Sequence, residues 1–208
     1  MAEDAWRTDR WDDHYDELVD ASFIDFPWLE SRAEQICSYD AMLVPGLMQT
    51  PAYAEAVIRN AEGEKATAFA VATWMQFRLD RQRVLDKTPT VRVASIIDES
   101  ALRRPVHSAA VMREQLDHLG AVARRPNVEL RVLPATVGLH PGLDGSFWLF
   151  RMPAPYPEVA YTEHLGGRLF MESPKSKRYA RAYDRLLQAA LDPRGSAKLI
   201  ATIAEELT

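Results

Sequence analysis

The feature that most constrains the fold is an abrupt change of hydrophobic periodicity before residue 91. From Glu64 to about Lys87, apolar side chains recur at helical spacing with arginines on the outer face, and Thr88-Pro89 ends the pattern. Residues 91–97 (VRVASII) are instead rich in β-branched side chains, which is typical of a buried strand. A two-faced helix followed by a core strand predicts a domain that combines helices with a sheet.

The C-terminal half continues this mixture of strands and helices. Further strands are predicted by short apolar runs between turn signals, at 128–134, 146–152, 158–164 and 167–172. Further helices are predicted by apolar residues at helical spacing, at 107–123, 176–190 and 193–207. The sequence therefore predicts an α+β fold with N-terminal helices, a central sheet of about five strands and two C-terminal helices.

The first half of the chain shows no comparable strand pattern. Trp28–Ile36 has the spacing of a helix, and residues 38–50 (SYDAMLVPGLMQT) are predicted to be extended or looped because of their Pro-Gly pair. Thr50 and Pro51 mark a helix start, because the hydroxyl can cap the first turn and proline favours the first helical position. The prediction therefore places no regular strand before residue 91.

The N-terminal segment combines acidity with aromatic side chains. Residues 1–40 hold twelve carboxylates against three arginines, and Trp6–Asp20 has the pattern of a short amphipathic helix. Such a segment suits docking, with Trp11, Tyr15 and Trp28 as interaction candidates, or it packs as a helix over its own domain. Two parts are predicted, an acidic aromatic helical segment at 1–27 and a single α+β effector domain at 28–208.

Composition excludes several classes of protein. The net charge of −5 and the pI near 5.6 disfavour direct binding of nucleic acid, which needs a basic surface. Cys37 is the only cysteine and no apolar run follows a charged start, so neither disulfides nor a secretory signal is predicted. No stretch is long and apolar enough for a membrane span. These features predict a cytoplasmic protein in which Cys37 is simply buried.

Separated sequence blocks occur in an order that matches one bacterial family. The first block is SYDAMLVPGLMQTPAYAEAVIR, and it is followed by RLDRQRVL, DESALRRPV, VMREQLDHL, RPNVELRVLP, GLHPGLDGSFWLFRMP, VAYTEHLGGRLFMES and YARAYDRLLQAAL. Over residues 11–206 the chain resembles the C-terminal effector domain of actinobacterial XRE-type helix-turn-helix regulators. Members are described as Scr-type or toxin–antitoxin-like transcriptional regulators of Streptomyces, and the domain is catalogued as one of unknown function.

The resemblance implies a regulatory role without naming a ligand. It implies a small-molecule effector or a small partner protein, often an acidic or toxin-like one. Members usually carry a helix-turn-helix before the helix at 11–19, whereas this chain has only a short lead there. We therefore expect no DNA-recognition helix in this chain.

Glu99, Arg103 and Arg104 form the strongest candidate site, just beyond the strand at 91–97. Ligands collect at the carboxyl ends of strands in open sheets, and two arginines can grip an anionic ligand or a partner's carboxylate through paired donors. The alternative is a helix-capping carboxylate with solvated arginines. The resemblance includes this block and favours a functional role without defining it.

His140, Glu163 and His164 form a second candidate group. His140 lies in a glycine-rich loop and Glu163-His164 ends a predicted strand, so together with Glu99 they could form an acid–base or metal cluster. The alternative is a set of hydrogen-bonded structural histidines, because no metal-binding or nucleophile motif supports the cluster. We predict no metal and no cofactor.

Two functional hypotheses follow. The first is a regulatory module that binds a small molecule or a protein, and the second is a stand-alone enzyme with a polar pocket around Glu99, His140 and Glu163. A basic stripe at 175–185 (KSKRYARAYDR) is either a solvated helix face or a surface for nucleic acid or an acidic partner. It could also receive the acidic segment of a second copy, which would make a homodimer.

Overall fold

A six-stranded mixed sheet lies at the centre of the computed structural model, which describes residues 21–86 and 91–207. Its strands are β1 (Gln35–Asp40), β2 (Arg92–Asp98), β3 (Val128–Leu133), β4 (Phe147–Arg151), β5 (Val159–His164) and β6 (Gly167–Met171). They lie in the order β3-β2-β1-β4-β5-β6. The first three strands are parallel, whereas β4, β5 and β6 run antiparallel to their neighbours. The carboxyl ends of β1, β2, β3 and β5 therefore lie at the same end of the sheet.

Seven α-helices accompany the sheet within the described residues. They are α1 (Ala21–Arg32), α2 (Pro51–Glu62), α3 (Ala68–Gln82), α4 (Glu99–Arg103), α5 (Ala109–Val122), α6 (Ser176–Ala189) and α7 (Pro193–Glu206). Side chains cap several of them: Thr50 begins α2, Thr67 begins α3, Ser108 begins α5 and Asp192 begins α7. Each cap satisfies a backbone N–H that the helix itself leaves unpaired.

The two faces of the sheet are covered unequally. Successive strand residues point to opposite faces, and Ile36, Val93 and Leu130 place the larger apolar cluster on the first face, against α1, α2, α5 and α7. α3 packs against α1 and α2. The second face carries a smaller cluster, in which Cys37 of β1 packs with Leu186 of α6. Most of the described helices therefore lie on the first face of the sheet.

The α+β prediction is confirmed, but the sheet has one more strand than predicted. The additional strand is β1, which occupies the end of the helix predicted at Trp28–Ile36 and the start of the extended or looped segment predicted after it. The helix instead covers Ala21–Arg32 and so crosses the boundary predicted between residues 27 and 28. β1 is central, with partners on both sides, and it is buried on both faces. A strand buried on both faces lacks the alternation that marks a strand in a sequence.

Some sequence predictions fall outside the described residues. These are the helix at Trp6–Asp20, with its interaction candidates Trp11 and Tyr15, and the helix-ending pair Thr88-Pro89. The helix predicted from Glu64 to Lys87 is shorter, because α3 occupies Ala68–Gln82 and tighter helical turns precede and follow it. Within residues 21–86 and 91–207, each helix is too short or too polar to cross a bilayer.

Candidate functional site

A cavity of about 370 Å³ lies on the first face of the sheet, at the carboxyl end of β1. β1 is the strand at which the strand order reverses, because β2 lies on one side of it and β4 on the other. Ligand sites in open sheets collect at such reversal points. The polar and aromatic walls of the 370 Å³ cavity are formed by Phe26, Asp40, Gln49, Arg78, Arg81, Trp148, Tyr161 and Glu163. We call this space the Asp40–Arg78 cavity.

Strand alternation explains why polar groups of β1 and β5 meet here. Ser38 and Asp40 are two residues apart on β1, and Tyr161 and Glu163 are two residues apart on β5, so each pair shares a face. Tyr39, between the first pair, points to the opposite face and belongs to the smaller cluster. β1 and β5 therefore place these polar side chains on the first face of the sheet, which is otherwise apolar.

Asp40 is the most unusual of these groups, because it is an acid with only 4% of its surface exposed. Its Oδ2 accepts a hydrogen bond of 2.6 Å from the Ser38 hydroxyl, which also lies 2.9 Å from the hydroxyl of Ser95. Burial raises the pKa of Asp40 to about 7, and the Ser38 hydrogen bond offsets only part of that effect. No cation among the described residues pairs with Asp40. Its carboxyl group can therefore donate or accept a proton near neutral pH.

Tyr161 has a buried hydroxyl that makes no hydrogen bond of acceptable geometry with a described group, although the Glu163 carboxylate lies near it. Its ring packs at 4.6 Å from the ring of Phe26 and 5.6 Å from that of Trp148, in an aromatic wall of the cavity. Burial first, and then the neighbouring Glu163 carboxylate, raise the pKa of Tyr161. Glu163 is itself held by Arg168 at 3.0 Å. An unsatisfied buried hydroxyl costs free energy unless another molecule supplies a partner.

Arg81 and Glu30 form a buried ion pair at the base of the cavity. Nε and one terminal nitrogen of Arg81 each donate to a different carboxylate oxygen of Glu30, both at 2.8 Å. The Arg81 guanidinium also lies 4.9 Å from the centre of the Phe26 ring. The pair joins α3 to α1 and satisfies both charges, so its role is to hold the wall in place.

Arg78, one turn before Arg81 on α3, is in a different situation. It donates to the side-chain oxygen of Gln49, whose own amide nitrogen is fixed by a 2.7 Å bond to the carbonyl of Val44. No carboxylate among the described residues lies within ion-pair distance of Arg78, although the Arg78 side chain is half-buried. Burial, and then the charge of Arg81, lower the pKa of Arg78 to about 10. Most of its N–H donors are therefore available to an anion.

Two larger grooves lack such groups. A groove of about 760 Å³ lies at the amino ends of β1 and β2, and one of about 630 Å³ lies between α2 and residues 104–107. The charged side chains that line them, among them Arg92, Arg59 and Arg104, are exposed to solvent. A solvated charge gains little from a bound ligand, so the smaller cavity is the stronger candidate site.

A family described as a domain of unknown function (DUF5753) matches residues 23–202. The chain belongs to this family. The matched region includes every residue that lines the Asp40–Arg78 cavity. A search of the curated proteins finds no match.

Glu99, Arg103 and Arg104, the strongest candidate site in the sequence, lie outside the Asp40–Arg78 cavity. Glu99 begins α4 and accepts hydrogen bonds from the backbone N–H of Ala135 at 3.0 Å and from Arg103 at 2.7 Å, which together lower the pKa of Glu99. Arg103 also pairs with Glu206 of α7. Arg104 donates to the carbonyl of Met42 at 3.1 Å and lines the 630 Å³ groove. Glu99 and Arg103 thus join neighbouring elements.

His140 lies on the opposite face of the sheet from Glu163. Its Nε2 is 4.0 Å from Oδ2 of Asp98, and its ring packs against Tyr39, whose hydroxyl donates to the same oxygen at 3.0 Å. The loop that carries His140 is held close by Gly142, where an added Cβ would lie 2.3 Å from the Tyr39 ring. The sheet therefore stands between His140 and Glu163.

The remaining candidates are dispersed. His164 is exposed at the end of β5, where its Nδ1 accepts a 3.0 Å bond from the N–H of Gly166 in the following turn. Trp28 is partly buried on α1 and packs edge-on against Tyr156 at 6.4 Å. The basic residues of the stripe at 175–185 are all exposed on or beside α6. No group of three or more potential metal ligands occurs in the part of the chain that the structure describes.

Of the sequence-predicted site residues that the structure describes, only Glu163 lines the Asp40–Arg78 cavity. Sequence reasoning missed Asp40, Arg78, Arg81 and Tyr161, although all four lie inside the blocks that carry the family resemblance. A signal was present in RLDRQRVL, because two arginines three residues apart on a helix share a face. Nothing in the sequence shows that one of them is paired and the other is not.

Proposed function

We propose that this chain is a regulatory effector domain that senses a small polar molecule in the Asp40–Arg78 cavity. One observation carries the proposal: Asp40, Arg78 and the Tyr161 hydroxyl face one cavity, and none of them has a full set of partners among the described residues. Polar groups in such a setting destabilise the empty domain. A ligand that satisfies them gains affinity from the same groups.

The resemblance to effector domains of XRE-type regulators supports the regulatory part of the proposal. In that context the domain is part of an actinobacterial, Scr-type or toxin–antitoxin-like system in the cytoplasm. The ligand is the small-molecule effector that the resemblance implies. Its binding stabilises the folded domain by mass action, and that stabilisation is the signal that a regulatory system could use.

The test is a fragment screen by ligand-observed NMR, with a library that contains neutral, anionic and cationic compounds. A Gly46→Leu variant is the site-specific control, because Gly46 lines the cavity and an added Cβ there has room, with its nearest neighbour in Arg81 at 3.8 Å. Gly120→Leu is the matched control in the 760 Å³ groove, which Gly120 of α5 lines and where an added Cβ meets no atom within 4 Å. We expect Gly46→Leu to abolish binding and Gly120→Leu to preserve it. A screen without hits, or hits that bind both variants equally, would refute the proposal.

A second candidate function is catalysis in the same cavity. The observation in its favour is the pKa of Asp40 near 7, which suits a general base better than an ordinary aspartate does. Incubating each bound compound with the protein and following its mass over time separates the two functions. A sensor returns the compound unchanged, whereas an enzyme yields a product, and Asp40→Asn would stop its formation.

A further inference from the structure

The Asp40–Arg78 cavity contains two arginines but only one of them is neutralised by a buried carboxylate. Arg81 binds both oxygens of Glu30 at 2.8 Å, and no ion pair joins Glu30 to Arg78 in the described part of the chain. Glu163 also faces the cavity, but it is held by Arg168 on β6. Arg78 is therefore a half-buried cation that no carboxylate among the described residues neutralises.

The single partner of Arg78 orients its guanidinium. Gln49 is itself 3% exposed and is anchored by the Val44 carbonyl, so its side-chain oxygen is a fixed acceptor for one Arg78 nitrogen. The planar guanidinium is thereby presented to the cavity with its other donors in place. A guanidinium oriented in this way pairs with two oxygens of one anionic group, which is the geometry of carboxylates and phosphates.

The side of the cavity formed by β1 and β5 favours hydrogen-bonding groups of a ligand, above all donors. The Asp40 carboxyl has one hydrogen-bond donor, from Ser38, and spare acceptor capacity. The unpartnered hydroxyl of Tyr161, which is 1% exposed, belongs to the same side. A ligand hydroxyl or amine would supply a donor to Asp40, and a hydroxyl could also accept from Tyr161.

Size and walls limit the ligand further. At about 370 Å³ the cavity is near the lower end of the range for small-molecule sites. Phe26, Trp148 and Tyr161 form an aromatic wall, and Met42 at the rim is exposed. The space thus suits a compact molecule that enters past Met42 and places its carbon skeleton against the rings.

We infer that the cavity selects a small organic anion that also carries a hydroxyl or an amine, with its carboxylate or phosphate on Arg78 and its donor on Asp40. This inference rests on the proposed function and specifies its ligand class. The ligand needs both its anionic group and its hydroxyl or amine. Arg78 alone would accept any anion, and Asp40 alone would favour cations. A neutral ester of the same acid lacks the group that Arg78 binds.

The experiment uses matched pairs of fragments, each a hydroxy or amino carboxylate with its methyl ester, and a hydroxyalkyl phosphate with the corresponding alcohol. Dissociation constants are measured by NMR titration against the wild-type domain, Arg78→Met and Arg59→Met. We expect the acids to bind the wild-type domain at least about tenfold more tightly than their neutral partners. Arg78→Met should remove this preference, and Arg59→Met, at the neighbouring groove, should retain it. The carboxylate and phosphate series show which anion is preferred.

Arg78→Met is expected to fold, because it replaces a half-buried cation that lacks a carboxylate partner with a side chain of similar length; its melting temperature is the check. Arg78→Lys serves as a second variant that keeps the charge and loses the paired donors. In Asp40→Asn, we expect amine-bearing acids to lose affinity more than hydroxyl-bearing acids, because only the amine needs a carboxylate charge.

Equal binding of esters and acids, or an acid preference that survives in Arg78→Met, would overturn the ligand class while leaving a small-molecule site intact. If no fragment of any charge binds the wild-type domain, the proposed function itself fails. The two failures are therefore distinguishable in one data set.

Discussion

Asp40→Asn should remove the pH dependence that a buried acid imposes on the stability of this domain. The pKa of Asp40 is raised from 3.8 to about 7 in the folded state because burial disfavours the carboxylate. A raised pKa means that the folded domain binds the proton more tightly than the unfolded chain does. Its contribution to stability is therefore complete below pH 4 and is lost as the pH rises through about 7.

The magnitude follows from the size of the shift. A difference of about three pKa units corresponds to about 4 kcal/mol in total, and about 2.5 kcal/mol of that is lost between pH 5 and pH 8. Asparagine has no proton to lose, so the free energy of unfolding of the variant relative to wild type should rise by about that amount over the same interval. All other titrating groups are common to the two proteins and cancel in the difference.

The assay is urea unfolding of both proteins at several pH values from 5 to 8, followed by tryptophan fluorescence. Asp117→Asn is the matched control, because Asp117 is exposed on α5, and its difference from wild type should not change with pH. A difference between Asp40→Asn and wild type that stays constant across this range would refute the assignment of Asp40 as a buried, unpaired acid.

Three further predictions concern other parts of the structure. Glu30→Gln should lower the free energy of unfolding by about 3–5 kcal/mol in denaturant titrations, because it leaves the buried charge of Arg81 without its carboxylate. A loss below about 1 kcal/mol would contradict the burial of that pair. Gly142→Ala should cost about 1–3 kcal/mol because its Cβ would overlap the tyrosine ring behind the loop, whereas Gly120→Ala in α5 should be neutral or stabilising by about 0.5–1 kcal/mol. The Cys37 thiol is fully buried and burial raises its pKa to about 11, so it should react with a disulfide reagent at pH 8 at least about a hundredfold more slowly in the folded protein than in urea. Equal rates in the two states would show that β1 is not buried.

Elements whose signals are local were predictable from the sequence. Thr50 does cap α2 with Pro51 in its first turn, because a cap depends on a few adjacent residues. The strand at 91–97 and the C-terminal helices also appear where periodicity placed them. The sequence did not predict β1, because QICSYD contains polar side chains and shows no alternation. The strand lacks alternation because helices pack on both of its faces. Among the predicted site residues that fall within 21–86 and 91–207, Glu163 alone lines the cavity, since a carboxylate at a strand end was a usable signal.

The class of fold follows from local sequence patterns, because the change from helical to strand periodicity occurs between neighbouring residues. The set of groups that share a cavity depends instead on how distant segments pack. Asp40 and Tyr161 are far apart in the chain and meet because β1 and β5 flank the same strand, β4. Glu30 reaches Arg81 and leaves Arg78 unneutralised because α1 packs against α3 in one particular register. Burial and pairing of charges depend on contacts between distant segments, and no local pattern encodes them.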